Sequence, residues 1–134
     1  MIAVDTNVVV RFLIPDHPPQ TEAARQVFAS GSVFVGITVL LETEWVMRGS
    51  FKIGRRETAA GLERLLGLSE VVVPQRQAVA VALEAMAEGA DFADALHASV
   101  APDGAEAFVT FDRDFARHAA AIDGLPAVRL LAAD

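Results

Sequence analysis

Cysteine and tyrosine are both absent from the sequence, and lysine occurs once, at Lys52. Without cysteine the chain has no disulfides and no thiolate metal sites, so any metal ion must be held by oxygen or imidazole ligands. Positive charge is also scarce, because eleven basic residues face eighteen acidic ones and give a net charge of -7 at pH 7. Such a balance repels polyanions at long range and argues against a nucleic-acid partner for the chain taken as a whole.

A long hydrophobic run is missing as well. The longest uncharged stretch around the apolar centre, residues 27–41, contains Ser, Gly and Thr and is shorter than the roughly 20 apolar residues of a membrane helix. We therefore expect no membrane span. The N-terminal residues MIAVD lack the basic region and apolar run of a secretion signal, so we expect a cytoplasmic protein.

Apolar residues are abundant enough for one hydrophobic core. They make up 53% of the 134 residues, which excludes a disordered chain. No internal repeat or flexible linker interrupts the sequence, and the proline-rich segment IPDHPPQ at residues 14–20 predicts a turn. We expect a single domain over residues 1–134.

Short apolar runs alternate with segments of helical periodicity. The runs predict buried strands at residues 1–4, 33–35, 71–73 and 107–111, and a weaker fifth strand at 128–131. Helical spacing predicts helices at residues 21–29, 39–47, 57–66, 78–87, 93–100 and 114–118. Residues 6–14 are ambiguous between strand and helix, and we expect a turn followed by a helix there. The alternation predicts an α/β layered fold with a largely parallel sheet.

Carboxylates follow the ends of two predicted strands. Asp5 ends the strand in IAVDTN and Asp112 ends the strand in VTFDRD, at the edge of a parallel sheet where ligands bind. Asp91 and Asp94 lie three residues apart at the start of a predicted helix. Each aspartate alone has a simpler interpretation. Asp5 begins an Asx turn, Asp91 caps its helix with Asp94 at the third helical position, and Asp112 caps the helix of Asp114.

Glu42 is harder to explain by capping. It interrupts an apolar helical face in VLLETEWVM, where a lone buried carboxylate is costly without a charge partner or a metal ion. A surface position for Glu42 is the open alternative. Taken together, carboxylates from four separate segments match the oxygen ligands of Mg²⁺, and Mn²⁺ accepts the same set. Without a metal ion such a cluster repels itself, so we expect raised pKa values among its members.

Four short motifs occur in order along the chain. They are VDTN at residues 4–7, LLETEWV at 40–46, DFADAL at 91–96 and TFDRDF at 110–115. In this order and spacing the sequence resembles the PIN-domain ribonucleases, and in particular the VapC toxins of prokaryotic toxin-antitoxin pairs. The resemblance covers essentially the whole chain. It implies a three-layer α/β/α PIN-like fold with a mostly parallel central sheet flanked by helices.

The resemblance also implies a set of site residues. By position, the acidic quartet of the family falls on Asp5, Glu42, Asp94 and Asp112, which would hold one or two Mg²⁺ or Mn²⁺ ions, with Asp114 as an auxiliary ligand. Thr6, Asn7 and Thr110 match the supporting polar positions, with Thr110 hydrogen-bonded within the site and Asn7 steadying the first loop. We interpret Asp91 as a helix cap, and His97 as partly buried packing instead of a metal ligand.

The implied activity is hydrolysis of RNA phosphodiester bonds by a metal-activated water, which leaves a 5′-phosphate and a 3′-hydroxyl. The implied partners are the RNA substrate, a cognate VapB-type antitoxin and a second copy of the chain in a homodimer. Two alternatives remain open. One is a stand-alone PIN nuclease in RNA processing, and the other is a non-catalytic PIN-like module that binds protein.

The middle of the sequence contains two features with two interpretations each. A basic group, consisting of Arg48, Lys52, Arg55, Arg56 and Arg64, either contacts the RNA backbone or forms a solvated helical face balanced by Glu57 and Glu63. The aromatic residues Trp45 and Phe51 either pack in the core or form the groove and dimer surface that an antitoxin covers.

Two other acidic families fit the motifs less well. A haloacid-dehalogenase-like phosphatase requires a second aspartate two residues after the first, where this chain has Asn7. A response-regulator receiver domain requires adjacent acidic residues after its first strand and a lysine late in the chain, whereas the lysine of this chain is Lys52. The motifs therefore argue against both families.

Overall fold

The structure, a computed structural model, describes residues 1–132. The chain divides into two compact units, Met1–Pro74 and Gln75–Asp134. The described residues form seven helices and five short strands, and every strand pairs in parallel with its neighbour. The α/β class with parallel strands that the sequence predicts is therefore confirmed.

The first unit contains a three-stranded parallel sheet of order β1-β2-β3. Its strands are β1 (Ile2–Ala3), β2 (Val33–Phe34) and β3 (Val71–Val72), and its helices are α1 (Thr6–Leu13), α2 (Pro18–Ala29), α3 (Ile37–Gly49) and α4 (Arg55–Leu66). Helix α1 packs against α2 and α3, and α3 packs against α4. The rings of Phe12 and Phe28 stack with their centroids 4.0 Å apart and join α1 to α2.

Apolar side chains at helical spacing anchor these helices. Val9 on α1, Leu40 on α3 and Leu62 on α4 are fully buried. Burying one such side chain contributes about 1.5–3 kcal/mol, so the packing holds the start of α1 and the first turns of α3 in place. Both regions contain candidate site residues.

The second unit pairs β4 (Phe108–Thr110) with β5 (Val128–Leu130) in a two-stranded parallel sheet. Its helices are α5 (Arg76–Ala87), α6 (Phe92–Ser99) and α7 (Arg113–Ala119). Gly89 turns the chain between α5 and α6 with a φ of +115°, and a Cβ atom there would lie 3.0 Å from Nε2 of His118. Glycine is therefore required in the turn that leads into Asp91.

Every predicted strand and helix occurs close to its predicted position, and the ambiguous segment at residues 6–14 contains helix α1. The prediction that the first four strands are buried is wrong for β1 and for parts of β3 and β4, because Ile2 is 50%, Val72 40% and Val109 45% exposed. In the described sheets each of these three strands pairs on one side only, so fewer atoms cover it. None of the helices in the described residues has the length and apolar character needed to cross a membrane.

Candidate metal centre

The candidate residues of the first unit lie at the start of α1 and on α3. Asp5 is the N-cap of α1, and its Oδ1 accepts a hydrogen bond from the backbone N–H of Val8 at 3.1 Å. The next residue, Thr6, is buried and donates a hydrogen bond from Oγ1 to Oε1 of Glu42. This bond joins segments that are 36 residues apart in the sequence and holds one oxygen of Glu42 beside the residue that follows Asp5.

On α3, Glu42 is exposed and Glu44 is buried. The interpretation of Glu42 as a carboxylate on a buried face is therefore wrong, and the alternative of a surface position is found. Two residues along a helix are rotated by about 200°, so Glu42 and Glu44 point to nearly opposite sides of α3. A buried carboxylate requires a charge partner, and Glu44 has one because Nη1 of Arg48 lies 3.3 Å from its Oε1. The exposed position of Glu42 leaves it accessible to a ligand.

The candidate residues of the second unit lie at the starts of α6 and α7. Asp91 is the N-cap of α6, and its Oδ2 accepts a hydrogen bond from the backbone N–H of Asp94 at 3.0 Å. Asp112 is the N-cap of α7, and its Oδ1 accepts a hydrogen bond from the N–H of Phe115 at 2.9 Å. The hydroxyl of Thr110 accepts a hydrogen bond from the backbone N–H of Asp112 at 3.0 Å, so this threonine steadies the loop of the aspartate.

The pKa of Asp94 is raised above its ordinary value. Burial is the main cause, and the negative charges of Asp91 and Asp112 raise the pKa further. His97 acts in the opposite direction and lowers the pKa of Asp94. The raised pKa expected within a metal-free set of carboxylates is thus found at Asp94, where burial contributes more than the neighbouring negative charges.

Asp114 and His97 differ from the residues above in their surroundings. Asp114 forms an ion pair with Arg117, with 3.1 Å between Oδ1 and Nη2, and both side chains are exposed. His97 is exposed on α6, so its interpretation as partly buried packing is wrong. Its position one turn after Asp94 lets it act on that carboxyl through its charge.

Asn7 is exposed and lines a cleft of about 420 Å³ between α1 and α2, next to Asp5. Arg11 lines the same cleft, with its Nη1 donating to Oδ1 of Asp16 and its Nε donating to Oε1 of Gln20, both at 2.7 Å. No motif in the sequence indicates this network. The proline-rich segment at residues 14–20 predicts a turn there, but the pairing depends on how α2 packs back on α1.

The hydrogen bonds of three candidate carboxylates each involve one oxygen of the side chain. At Asp5 and Asp112 the capping bond uses Oδ1, and at Glu42 the bond from Thr6 uses Oε1. Among residues 1–132, the second oxygen of each of these carboxylates makes no hydrogen bond to a side chain or backbone N–H and can take another partner. The capping interpretation is confirmed at Asp91 and Asp112, and Asp5 proves to be an N-cap as well. Capping therefore does not exclude a metal ion at these positions.

The structure groups the predicted site residues into two sets. The first unit contains Asp5, Thr6, Asn7 and Glu42, and the second contains Asp91, Asp94, Thr110, Asp112 and Asp114. Within residues 1–132, no three Asp, Glu or His side chains form an arrangement that could hold a metal ion. The chemistry of both sets nevertheless suits a hard divalent cation, because both offer carboxylate oxygens and neither offers a thiolate.

Comparison with known proteins identifies the family. No curated protein and no solved structure matches the chain. A family model described as PIN domain matches residues 2–121, and the match includes both sets of carboxylates and all four motifs. PIN domains are in general nucleases that use divalent metal ions, so a nuclease-type function follows from the match. Because the match covers most of the chain, this protein belongs to the PIN domain family.

Proposed function

We propose that this chain is a metal-dependent endoribonuclease in which Asp5, Glu42, Asp94 and Asp112 hold Mg²⁺ or Mn²⁺. One observation carries the proposal. The hydrogen bonds at Asp5, Glu42 and Asp112 each use a single carboxylate oxygen, which orients the side chain and leaves the other oxygen for a cation. Helix capping alone does not explain Glu42, which lies within α3 and is bonded to a buried threonine from another helix.

Asp94 supports the proposal in a different way. Its burial, together with the charges of Asp91 and Asp112, makes its anionic form unfavourable in the metal-free protein. A divalent cation would offset that cost by supplying an opposite charge. The unfavourable environment of Asp94 is therefore the one expected of a ligand that awaits its metal ion.

The residues of the chain position the cation and the RNA. A bound divalent cation supplies Lewis acidity to the phosphodiester and activates the attacking water. Thr6 keeps Glu42 oriented, and Thr110 steadies the loop of Asp112. Asp114 is proposed as an auxiliary ligand, which would exchange its ion pair with Arg117 for a second cation. A bound divalent cation would offset much of the negative charge of these carboxylates, so the acidic centre would repel the phosphate less strongly.

We further propose that the chain is the toxin of a VapBC toxin-antitoxin pair, forms a homodimer in the cytoplasm and is restrained by a VapB-type antitoxin. The support is the order and spacing of VDTN, LLETEWV, DFADAL and TFDRDF. A small reading frame next to the gene, encoding a DNA-binding antitoxin that copurifies with this chain, is the expected finding. Its absence would favour a stand-alone PIN nuclease.

Cleavage of RNA in the presence of metal tests the enzymatic proposal. The wild-type protein should cut single-stranded RNA with Mg²⁺ or Mn²⁺, leave a 5′-phosphate and a 3′-hydroxyl, and lose activity when EDTA is added. Asp5→Asn should abolish most of this activity while the far-UV circular dichroism spectrum stays unchanged. Asp103→Asn, in an exposed loop, is the matched control and should cleave like wild type. Full activity of Asp5→Asn would remove Asp5 from the site, and no cleavage of any RNA would favour a non-catalytic binding module.

A further inference from the structure

The large aromatic residue Trp45 on α3 lies outside the hydrophobic core. Its side chain is 71% exposed, so the interpretation of Trp45 as core packing is wrong. It follows Glu42 by three positions, and such residues lie side by side on a helix with about 5–6 Å between their Cβ atoms. Glu42 is exposed too, so the indole and a proposed metal ligand share one exposed face of α3.

Along α3, the neighbours of Trp45 do not form an exposed apolar patch. Of the residues one turn away on α3, Glu42 and Gly49 are exposed, and Leu41 and Arg48 are half-buried. A protein interface of standard size buries about 800 Å² on each partner and has several apolar side chains at its centre. A single exposed indole, whose one apolar neighbour one turn away on the helix is the half-buried Leu41, instead suits a planar ligand that covers one aromatic ring.

The chain that follows the indole is basic. Residues 45–56 contain Arg48, Lys52, Arg55 and Arg56 and no acidic residue, although the whole chain has a net charge of -7. Lys52 and Arg56 are exposed, and Lys52 lies in the turn after α3 with a φ of +57°. An exposed aromatic ring and exposed cations within one short segment are the kind of groups with which proteins bind single-stranded nucleic acid.

We propose that Trp45 stacks on a base of single-stranded RNA next to the phosphate that is cut, while Lys52 and Arg56 contact the RNA backbone. The inference rests on the proposed ribonuclease function and adds a substrate-binding subsite to it. The ligand class is an unpaired nucleotide, because a base inside a duplex does not offer its face to a side chain. Stacking tolerates all four bases, so this subsite favours unpaired RNA over a particular sequence.

The composition of the chain makes the stacking directly measurable. Trp45 is its one tryptophan and there is no tyrosine, so the indole fluorescence of the protein reports on this position. The wild-type protein should be titrated in EDTA, which prevents cleavage, with single-stranded oligo(A) and oligo(U) of about eight nucleotides. We expect saturable quenching by both. An oligonucleotide of the same length and charge without bases should bind more weakly and leave the emission unchanged.

Three variants test the contribution of the indole to catalysis. Trp45→Ala should raise KM for single-stranded RNA by about 5- to 100-fold, the range expected for loss of one stacked base, and should change kcat little. Trp45→Phe retains an aromatic ring and should stay close to wild type. Arg25→Ala, at an exposed position on α2, is the control for a general loss of surface groups. Circular dichroism checks that each variant is folded.

The outcomes separate this inference from the proposed function. Suppose that the protein cleaves RNA in the presence of metal, but the oligonucleotides do not change its fluorescence and Trp45→Ala has the wild-type KM. The stacking role is then overturned, and the proposed ribonuclease function is kept. If no RNA is cleaved and none quenches the emission, both fail together. An emission that shifts with protein concentration or with an added protein partner, and ignores RNA, also overturns the inference and makes the indole a protein contact.

Discussion

At Asp112 one side chain caps a helix and is also a proposed metal ligand, two roles that the sequence presents as alternatives. Its Oδ1 caps α7 through the N–H of Phe115, and its second oxygen is available to a cation. Asp5 has the same arrangement at the start of α1. The capping bond restricts the carboxylate to one direction before any metal binds. Capping and metal binding can therefore be separated by substitution.

Asparagine and alanine at position 112 distinguish the two tasks. Asp112→Asn keeps a good capping group and should alter the free energy of unfolding by only a few tenths of a kcal/mol, whereas Asp112→Ala should lower it by about 1 kcal/mol. RNA cleavage should fall by about 100-fold or more in both variants, because both lose the charged ligand. Urea denaturation and cleavage assays measure the two effects. Wild-type activity in Asp112→Asn would leave capping as the one role of this residue.

The hydroxyl of Thr6 orients Glu42 and is expected to act on the metal through it. Thr6→Val keeps the shape of the buried side chain but removes the hydrogen bond, and should weaken Mn²⁺ binding by about 10- to 100-fold, as for other residues that orient metal ligands. Thr6→Ser retains the hydroxyl and should recover most of the affinity. Calorimetric titration with Mn²⁺ checks this. Equal affinities of the valine and serine variants would contradict the role of the bond.

The raised pKa of Asp94 predicts the direction of a pH effect in the metal-free protein. Because the pKa is higher in the folded than in the unfolded state, Asp94 destabilises the fold above its unfolded pKa, and acid removes the penalty. In EDTA, Asp94→Asn should raise the free energy of unfolding at neutral pH, and this gain should shrink as the pH falls toward the unfolded pKa. Urea denaturation across this pH range, with Asp103→Asn as control, measures it. A loss of stability at neutral pH would contradict the proposed strain.

Among the helices, α3 shows that the sequence predicts the position of a helix better than the direction in which its side chains point. Apolar spacing locates the helix correctly, since residues 39–47 fall within Ile37–Gly49. The same spacing misjudges its rotation, because Trp45 counts as apolar but is exposed while Glu44 is buried against Arg48. A salt bridge between residues four apart makes a buried glutamate tolerable, and periodicity of hydrophobic residues does not register it. The caps of α6 and α7 were predictable because capping depends on neighbouring residues alone.

Helix α3 also contains a buried hydroxyl without a partner. Thr43 is 0% exposed, and within the described residues its Oγ1 makes no hydrogen bond. Thr43→Val removes the unpaired polar atom and keeps the β-branched shape, so it should raise the free energy of unfolding by about 1 kcal/mol. Thr38→Val, at an exposed position of the same helix, should change stability by less than about 0.5 kcal/mol. A destabilised Thr43→Val variant would show that the hydroxyl has a partner in solution.

At the scale of the whole molecule, the uneven distribution of charge reconciles an acidic protein with an RNA substrate. The net charge of -7 disfavours nucleic acid at long range, yet residues 45–56 are basic, and a bound cation would offset the charge of the proposed carboxylate ligands. The order of the motifs predicted the PIN family, which the match over residues 2–121 confirms. The metal ion itself remains a proposal, because it depends on ligands from segments far apart in the sequence.

Electron paramagnetic resonance of bound Mn²⁺ can decide whether the proposed ligands hold a metal ion. It should be measured in wild type and in Asp5→Asn, Glu42→Gln, Asp94→Asn and Asp112→Asn. If the proposal is right, wild type binds Mn²⁺ saturably and each of the four substitutions weakens binding. The titration should be repeated with a non-cleavable RNA, which supplies phosphate oxygens to the ion. If Mn²⁺ binding depends on one set of carboxylates only, or is absent even with RNA, then the four residues are not the ligands of one metal centre.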